Sequence, residues 1–240
     1  MIYLHDSDLE FHGNLKSSNC VITSRWVLQL TDFGLYELRA ASQQGTFDPN
    51  SPHIYYQNLL WTAPELLKDQ QVLVRGSPKG DVYSFAIILY EIYGRKGPYG
   101  TCTYDVEGGH YFKQKIIILF MNSNRSSKLS SSALNRENRK DTKCWFVQLC
   151  FFVTEIVQRV QARINPPFRP DVSYLEHCPS QCPDFVMRVM TDAWDDLPAN
   201  RPTFRSIRER LKPLKNGMYE IHESNTFIVL ILEFLCTTKC

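Results

Sequence analysis

The sequence predicts a mainly α fold with one small β-hairpin, and three observations carry that expectation. The first is Lys79–Tyr93, where Val82, Phe85, Ile88, Leu89 and Ile92 follow helical spacing and Ala86 and Ile87 widen the stripe almost all round. A helix apolar on most faces is buried, so this one is the expected centre of the core. The second is a pair of amphipathic stretches further on. Phe185, Val186, Val189, Met190, Ala193 and Trp194 form one face after Pro183-Asp184, and Phe204, Ile207 and Leu211 form another after a capping Thr203. The third is a pair of short β-rich runs, Cys20–Thr23 and Trp26–Thr31, parted by Ser24-Arg25, which reads as a hairpin.

Composition sets bounds. A chain of 240 residues with 43% hydrophobic and 22% charged residues is long enough for a sizeable core and looks globular. A net charge of +2 is too small to imply nucleic acid or a membrane surface as partner. Eight cysteines stand at irregular spacings behind an N-terminus, Met1–Asp6, without the basic and apolar regions of a secretory signal, so reduced thiols are expected. The pairs Cys178/Cys182 and Cys236/Cys240 have spacings that zinc tolerates, but a Pro-bounded turn and a terminus are poor places for a metal site. The longest apolar run, Phe227–Leu232, ends at Glu233, far short of the roughly twenty residues a membrane helix needs. No direct membrane insertion is expected.

Taken in order, Met1–Leu4 reads as the end of a helix, followed by a polar loop and the hairpin. From Leu35 to Thr62 the composition turns to Ser, Gln, Asn and Pro, which reads as a long loop. Asp81 is the odd residue of the central helix, a carboxylate entering a core near a helix N-terminus. Gly94–Gly100 has the wrong glycine spacing for a phosphate loop and follows a helix, so it reads as a helix stop and turn. Gly109–Phe152 holds eight Lys and Arg against Glu137 and Asp141, a local +6 in a chain of +2, and its middle lacks periodicity. A disordered insertion is expected there. Helical spacing resumes at Val153, Ile156, Val157 and Val160, and Pro166–Pro170 must then run extended.

His12-Gly-Asn14-Leu-Lys16-Ser-Ser-Asn19 is followed by the hairpin and then by Asp32-Phe33-Gly34. That order resembles the protein-kinase signature, in which an Asp two residues after the His takes the substrate proton and a downstream Asn and the Asp-Phe-Gly aspartate hold the metals. The base position is Asn14, and a carboxamide is not basic at physiological pH. The metal-side positions Asn19 and Asp32 are both filled. The blocks HGNLKSSNC, TDFGL, LLWTAPELL, GSPKGDVYSFAIILYEI, PPFRPDV and WDDLPANRPTFRSIRERLKPL, in this order, are similar to the kinase-homology (pseudokinase) domain of receptor-type guanylate cyclases. The likeness runs over about Met1–Gly108 and Thr154–Met218.

This resemblance implies a kinase-like large lobe in two parts, 1–108 and 153–218, interrupted by 109–152 and followed by an unrelated tail, 219–240. It implies that Asp81 accepts backbone N–H groups from the catalytic-like loop and that Glu65 of Ala-Pro-Glu pairs with Arg201. It implies ATP and Mg²⁺ in the intact parent domain, with Lys16, Asn19 and Asp32 on the nucleotide side and no catalytic residue. No Gly-rich loop or Val-Ala-Ile-Lys strand precedes His12, so the small lobe is expected to be missing and nucleotide not to bind tightly to this stretch alone. The implied partners are that small lobe and a cyclase domain in a homodimeric receptor, on the cytoplasmic side of the plasma membrane (the cytoplasm, if the stretch is expressed alone). A fragment of a working Ser/Thr or Tyr kinase is the alternative. Lys16 favours it, while loss of the base, worth about 10²–10⁴ in rate, opposes it.

Overall fold

The computed structural model describes residues 1–24, 27–38, 41, 52–68, 73, 75–95, 97–100, 152–176 and 182–215. Helix α1 (Ile2–Asp6) leads through the loop 7–16 and a 3₁₀ turn, Ser17–Asn19, into strands β1 (Cys20–Ile22) and β2 (Leu28–Leu30). The strands pair antiparallel, with Cys20 opposite Leu30 and Ile22 opposite Leu28, so the hairpin expected from the two β-rich runs is present. Its register brings the chain leaving the 12–19 loop beside the chain entering Asp32, and Thr31 N–H donates to the Asn19 carbonyl at 3.0 Å.

The centre of the lobe is α3 (Pro78–Gly94). Ser77 caps it, its hydroxyl accepting from Gly80 N–H at 2.9 Å, and Pro78 fills a first-turn position that needs no donor. It stops where Arg95 takes the left-handed conformation, in the region read as a helix stop. From Gly80 to Tyr90 every residue is buried, as the all-round apolar pattern requires. Helix α6 (Asp184–Ala193) packs along α3, and α7 (Phe204–Lys215) packs on α6. Phe85 of α3 meets Phe204 of α7 at 5.5 Å between ring centres, and Tyr90 meets Trp194 at 6.3 Å. Between them in the chain, α4 covers 152–162 and buries Val153, Ile156, Val157 and Val160, and a short helix α5 (Ser173–Glu176) follows.

The structure corrects one expectation. Leu35–Thr62 is not a loop throughout: residues 36–38 are helical, and α2 spans Pro52–Asn58. The polar composition of the whole stretch conceals α2, a seven-residue helix that starts at a proline, the one position where proline favours a helix. After α4, Asn165–Pro166 is a cis peptide and 167–170 carry no regular structure. The expected insertion at 109–152 lies outside the described residues except for Phe152, which is helical; the tail 219–240 and the two cysteine pairs other than Cys182 also lie outside them. Among the described residues no helix is long and apolar enough to cross a membrane.

Candidate functional site

The site is built where the 12–19 loop lies over the N-terminus of α3. Asp81, in the first turn of α3 and buried, accepts from His12 N–H at 2.7 Å through Oδ2 and from Gly13 N–H at 3.0 Å through Oδ1. The same Oδ2 lies 2.9 Å from His5 Nε2, and the His5 ring stands edge-on to Phe204 at 4.9 Å. One carboxylate therefore joins α1, the loop and α3. The approach is close enough to demand glycine. Gly13 and Gly76 both have positive φ, and a Cβ on Gly76 would lie 2.5 Å from the Gly13 Cα.

The loop is also tied within itself. The Asn14 N–H donates to His12 Nδ1 at 3.2 Å, and the buried Asn19 donates its side-chain N–H to the Asn14 carbonyl at 2.8 Å. With its nitrogen so committed, Asn19 is left with its amide oxygen for any cation. Asp32, across the hairpin end, is exposed with φ 63°, a conformation Asp tolerates better than most residues. Phe33 beside it turns an edge towards the His12 ring at 6.1 Å. Lys16 Nζ donates to Asn58 Oδ1 of α2 at 2.9 Å. Asn19 and Asp32 thus stand just before β1 and just after β2, at neighbouring strand ends. No group of three or more His, Cys, Asp or Glu side chains that could hold a metal by itself occurs among the described residues.

Asn14 also faces a cavity of about 80 Å³, lined by Gly13, Trp61, Thr62, Leu66 and Ser77 among others. A carboxamide at this edge can donate and accept hydrogen bonds but cannot take a proton from a hydroxyl. At the position two residues after His12, the loop therefore carries no general base.

Architecture on the far side rests on Arg201, whose side chain is fully buried. Its two Nη atoms donate to Glu65 Oε1 and Oε2 at 2.6 and 2.7 Å, a bidentate pair. Further bonds go to the carbonyls of Lys79 (2.9 Å) and Asp195 (2.8 Å). Three features here are invisible to motif reading. The Tyr83 ring has two guanidinium groups near it, Arg201 at 5.2 Å and Arg169 at 5.3 Å. Arg169 pairs with Asp196 at 2.8 Å, and the Tyr83 and Tyr99 hydroxyls lie 2.8 Å apart. Finally, Glu91 of α3 accepts from Trp61 Nε1 at 2.7 Å and Ser17 Oγ at 3.3 Å. Glu91 does leave a signal in the sequence, because a carboxylate on a helix apolar all round must find partners. His5 leaves none.

Residues 1–116 match the family model described as protein tyrosine and serine/threonine kinase. The chain is 39% identical over 217 residues to the receptor-type guanylate cyclase Gyc76C of Drosophila melanogaster, covering 90% of the chain and 11% of that protein. It is 38% identical over 218 residues to guanylate cyclase 32E of the same fly, covering 91% of the chain and 14% of the relative. To the atrial natriuretic peptide receptor 2 of Homo sapiens it is 34% identical over 208 residues, covering 87% and 15%. The chain thus spans only 11–15% of the length of these relatives. With a kinase family model over its first half and receptor cyclases along nine-tenths of its length, the chain belongs to the kinase-like domains of receptor-type guanylate cyclases.

Proposed function

We propose that the chain is a non-catalytic, kinase-like regulatory module of a receptor guanylate cyclase, which senses ATP and relays binding of an extracellular ligand to a cyclase domain that forms cGMP. The observation that carries this reading is Asn14. It stands two residues after His12, at the edge of the cavity, in a loop whose every anchor is kept: Asp81 to the backbone, Asn19 to the Asn14 carbonyl. A loop maintained in shape but lacking a base suits binding and relay better than phosphoryl transfer. The names of the relatives, receptor-type guanylate cyclase among them, support the larger context.

In this reading Asn19 and Asp32 would hold Mg²⁺, which would supply charge neutralisation for the phosphates of ATP. Lys16 lies on the same loop. The small lobe and the cyclase domain are partners within a receptor homodimer, with this module at the cytoplasmic face of the plasma membrane. Calorimetry with Mg-ATP tests the reading. The 240 residues tested alone should show no saturable binding at cellular nucleotide levels. The chain joined to the small lobe of a receptor cyclase should bind saturably, and Asp32→Asn should weaken that binding at least tenfold. Tight binding by the chain alone, or none by the joined protein, would overturn it.

A further inference from the structure

We propose that Arg163 anchors a docking surface for an acidic protein segment, one that presents a carboxylate beside an apolar side chain. Three arginines and two carboxylates meet where α4 ends. Two of the arginines are fully engaged. Arg201 gives its Nη donors to Glu65 and the Lys79 carbonyl, and its Nε to the Asp195 carbonyl. Arg169 bonds Asp196 at 2.8 Å through Nη2, and the carbonyls of Trp194 and Phe168 through Nε and Nη1. Arg163 is held differently. Its Nη2 lies 3.8 Å from Glu65 and its Nε 3.8 Å from Asp196, both beyond hydrogen-bond reach, and the Nε is buried without a partner. Three guanidinium charges face two carboxylates, so the surplus charge falls on the arginine that is least well held.

Backbone and neighbours point the same way. Arg163 takes φ 48°, a left-handed conformation that suits glycine far better, and among the described residues no hydrogen bond of its guanidinium offsets that strain. Its side chain keeps 23% of its surface exposed. Ile164, the next residue, is 50% exposed, and Leu197, which follows Asp196, is 58% exposed. An arginine with open donors beside exposed aliphatic side chains has the make-up of an interface anchor. The aliphatic groups exclude water from the contact, and the guanidinium takes a carboxylate through two parallel bonds. Glu65 and Asp196 are already bonded to Arg201 and Arg169, so the matching carboxylate comes from outside. The surface uses none of Asn14, Asn19 and Asp32 and stands apart from the nucleotide reading above.

The test titrates the full chain, without nucleotide, with the peptide acetyl-Leu-Glu-Leu-Glu-Leu-amide, followed by NMR of the Arg163 Nε–H and the Ile164 and Leu197 methyl groups. The peptide should shift all of these saturably, and the same peptide with Gln in place of Glu should shift none. Arg163→Gly removes the guanidinium and suits the left-handed turn, so it should keep the fold and abolish the methyl shifts. Leu197→Ser should weaken the peptide at least fivefold. The Gln peptide keeps the proposal testable on the wild type if a variant fails to fold. No saturable shift, equal binding of the Gln peptide, or binding that survives Arg163→Gly would each overturn it. So would inorganic phosphate that binds Arg163 as tightly as the peptide, since the group would then receive free anions rather than a protein segment.

Discussion

Asp81 shows how much one residue can organise. Its two oxygens satisfy two backbone donors of a loop that makes no regular structure, and a ring nitrogen of α1 comes to the same carboxylate. Gly76 completes the fit by having no Cβ where the Gly13 backbone passes. Gly76→Ala should therefore displace the 12–19 loop, seen as loss of protection of the His12 and Gly13 amides in hydrogen exchange, whereas unchanged protection would mean that the close approach is not required. Glu91 predicts a pH dependence with a definite sign. Its folded carboxyl is raised from 4.5 to about 8, chiefly by burial, so the folded state keeps a proton that the unfolded chain releases. The stability it contributes is complete below about pH 4.5 and is lost as pH rises through 8. In denaturant titrations at several pH values, Glu91→Gln should reduce that loss between pH 5 and 8; an unaltered slope would place the proton elsewhere. Cys20, pushed up to about 12 by burial first and Glu91 second, should resist alkylation at pH 8 until the protein unfolds.

Helices set where these residues stand, and the sequence announces them unevenly. The central α3 is legible almost to the residue because apolar side chains occur on every face, and α6 and α7 are legible from single faces. Helix α2 is not, since its seven residues are too few for periodicity and their neighbours are polar. Caps divide the same way. Thr203 is readable before its helix, and its hydroxyl accepts from Ser206 N–H at 3.2 Å. Ser77 hides among Gly76, Pro78 and Gly80, yet it caps the helix that carries Asp81. Ser77→Ala should cost about 1 kcal/mol in denaturant unfolding, and Ser77→Asp should cost less. Equal losses for both would show that the hydroxyl is not acting as a cap. In the site itself, charge in an apolar setting makes Asp81 legible, and motif order points to Glu65, Arg201, Asn14, Asn19 and Asp32. Contacts that depend on the assembled fold, such as His5 on Asp81 or Arg169 beside Tyr83, have no local signature.

Across the whole molecule, one lobe is held together by long-range pairs rather than by neighbours in sequence. Arg201 and Glu65 lie 136 positions apart and close the lobe around Tyr83. Arg201→Ala should leave Glu65 with only its longer contact to Arg163 at 3.8 Å, beside a cavity, and destabilise the fold by about 3 kcal/mol, measured by denaturant unfolding. A loss under 1 kcal/mol would show that the pair is ornamental. The function proposed for this lobe rests on a negative: its loop is anchored like a catalytic loop and carries Asn14 where a base would stand. The most direct measurement is phosphate transfer from labelled Mg-ATP by the chain joined to a receptor-cyclase small lobe, under conditions where calorimetry shows the nucleotide bound. The account predicts binding with no transfer to protein or peptide. Transfer that disappears with Asp32→Asn, from a protein that still carries Asn14, would contradict it.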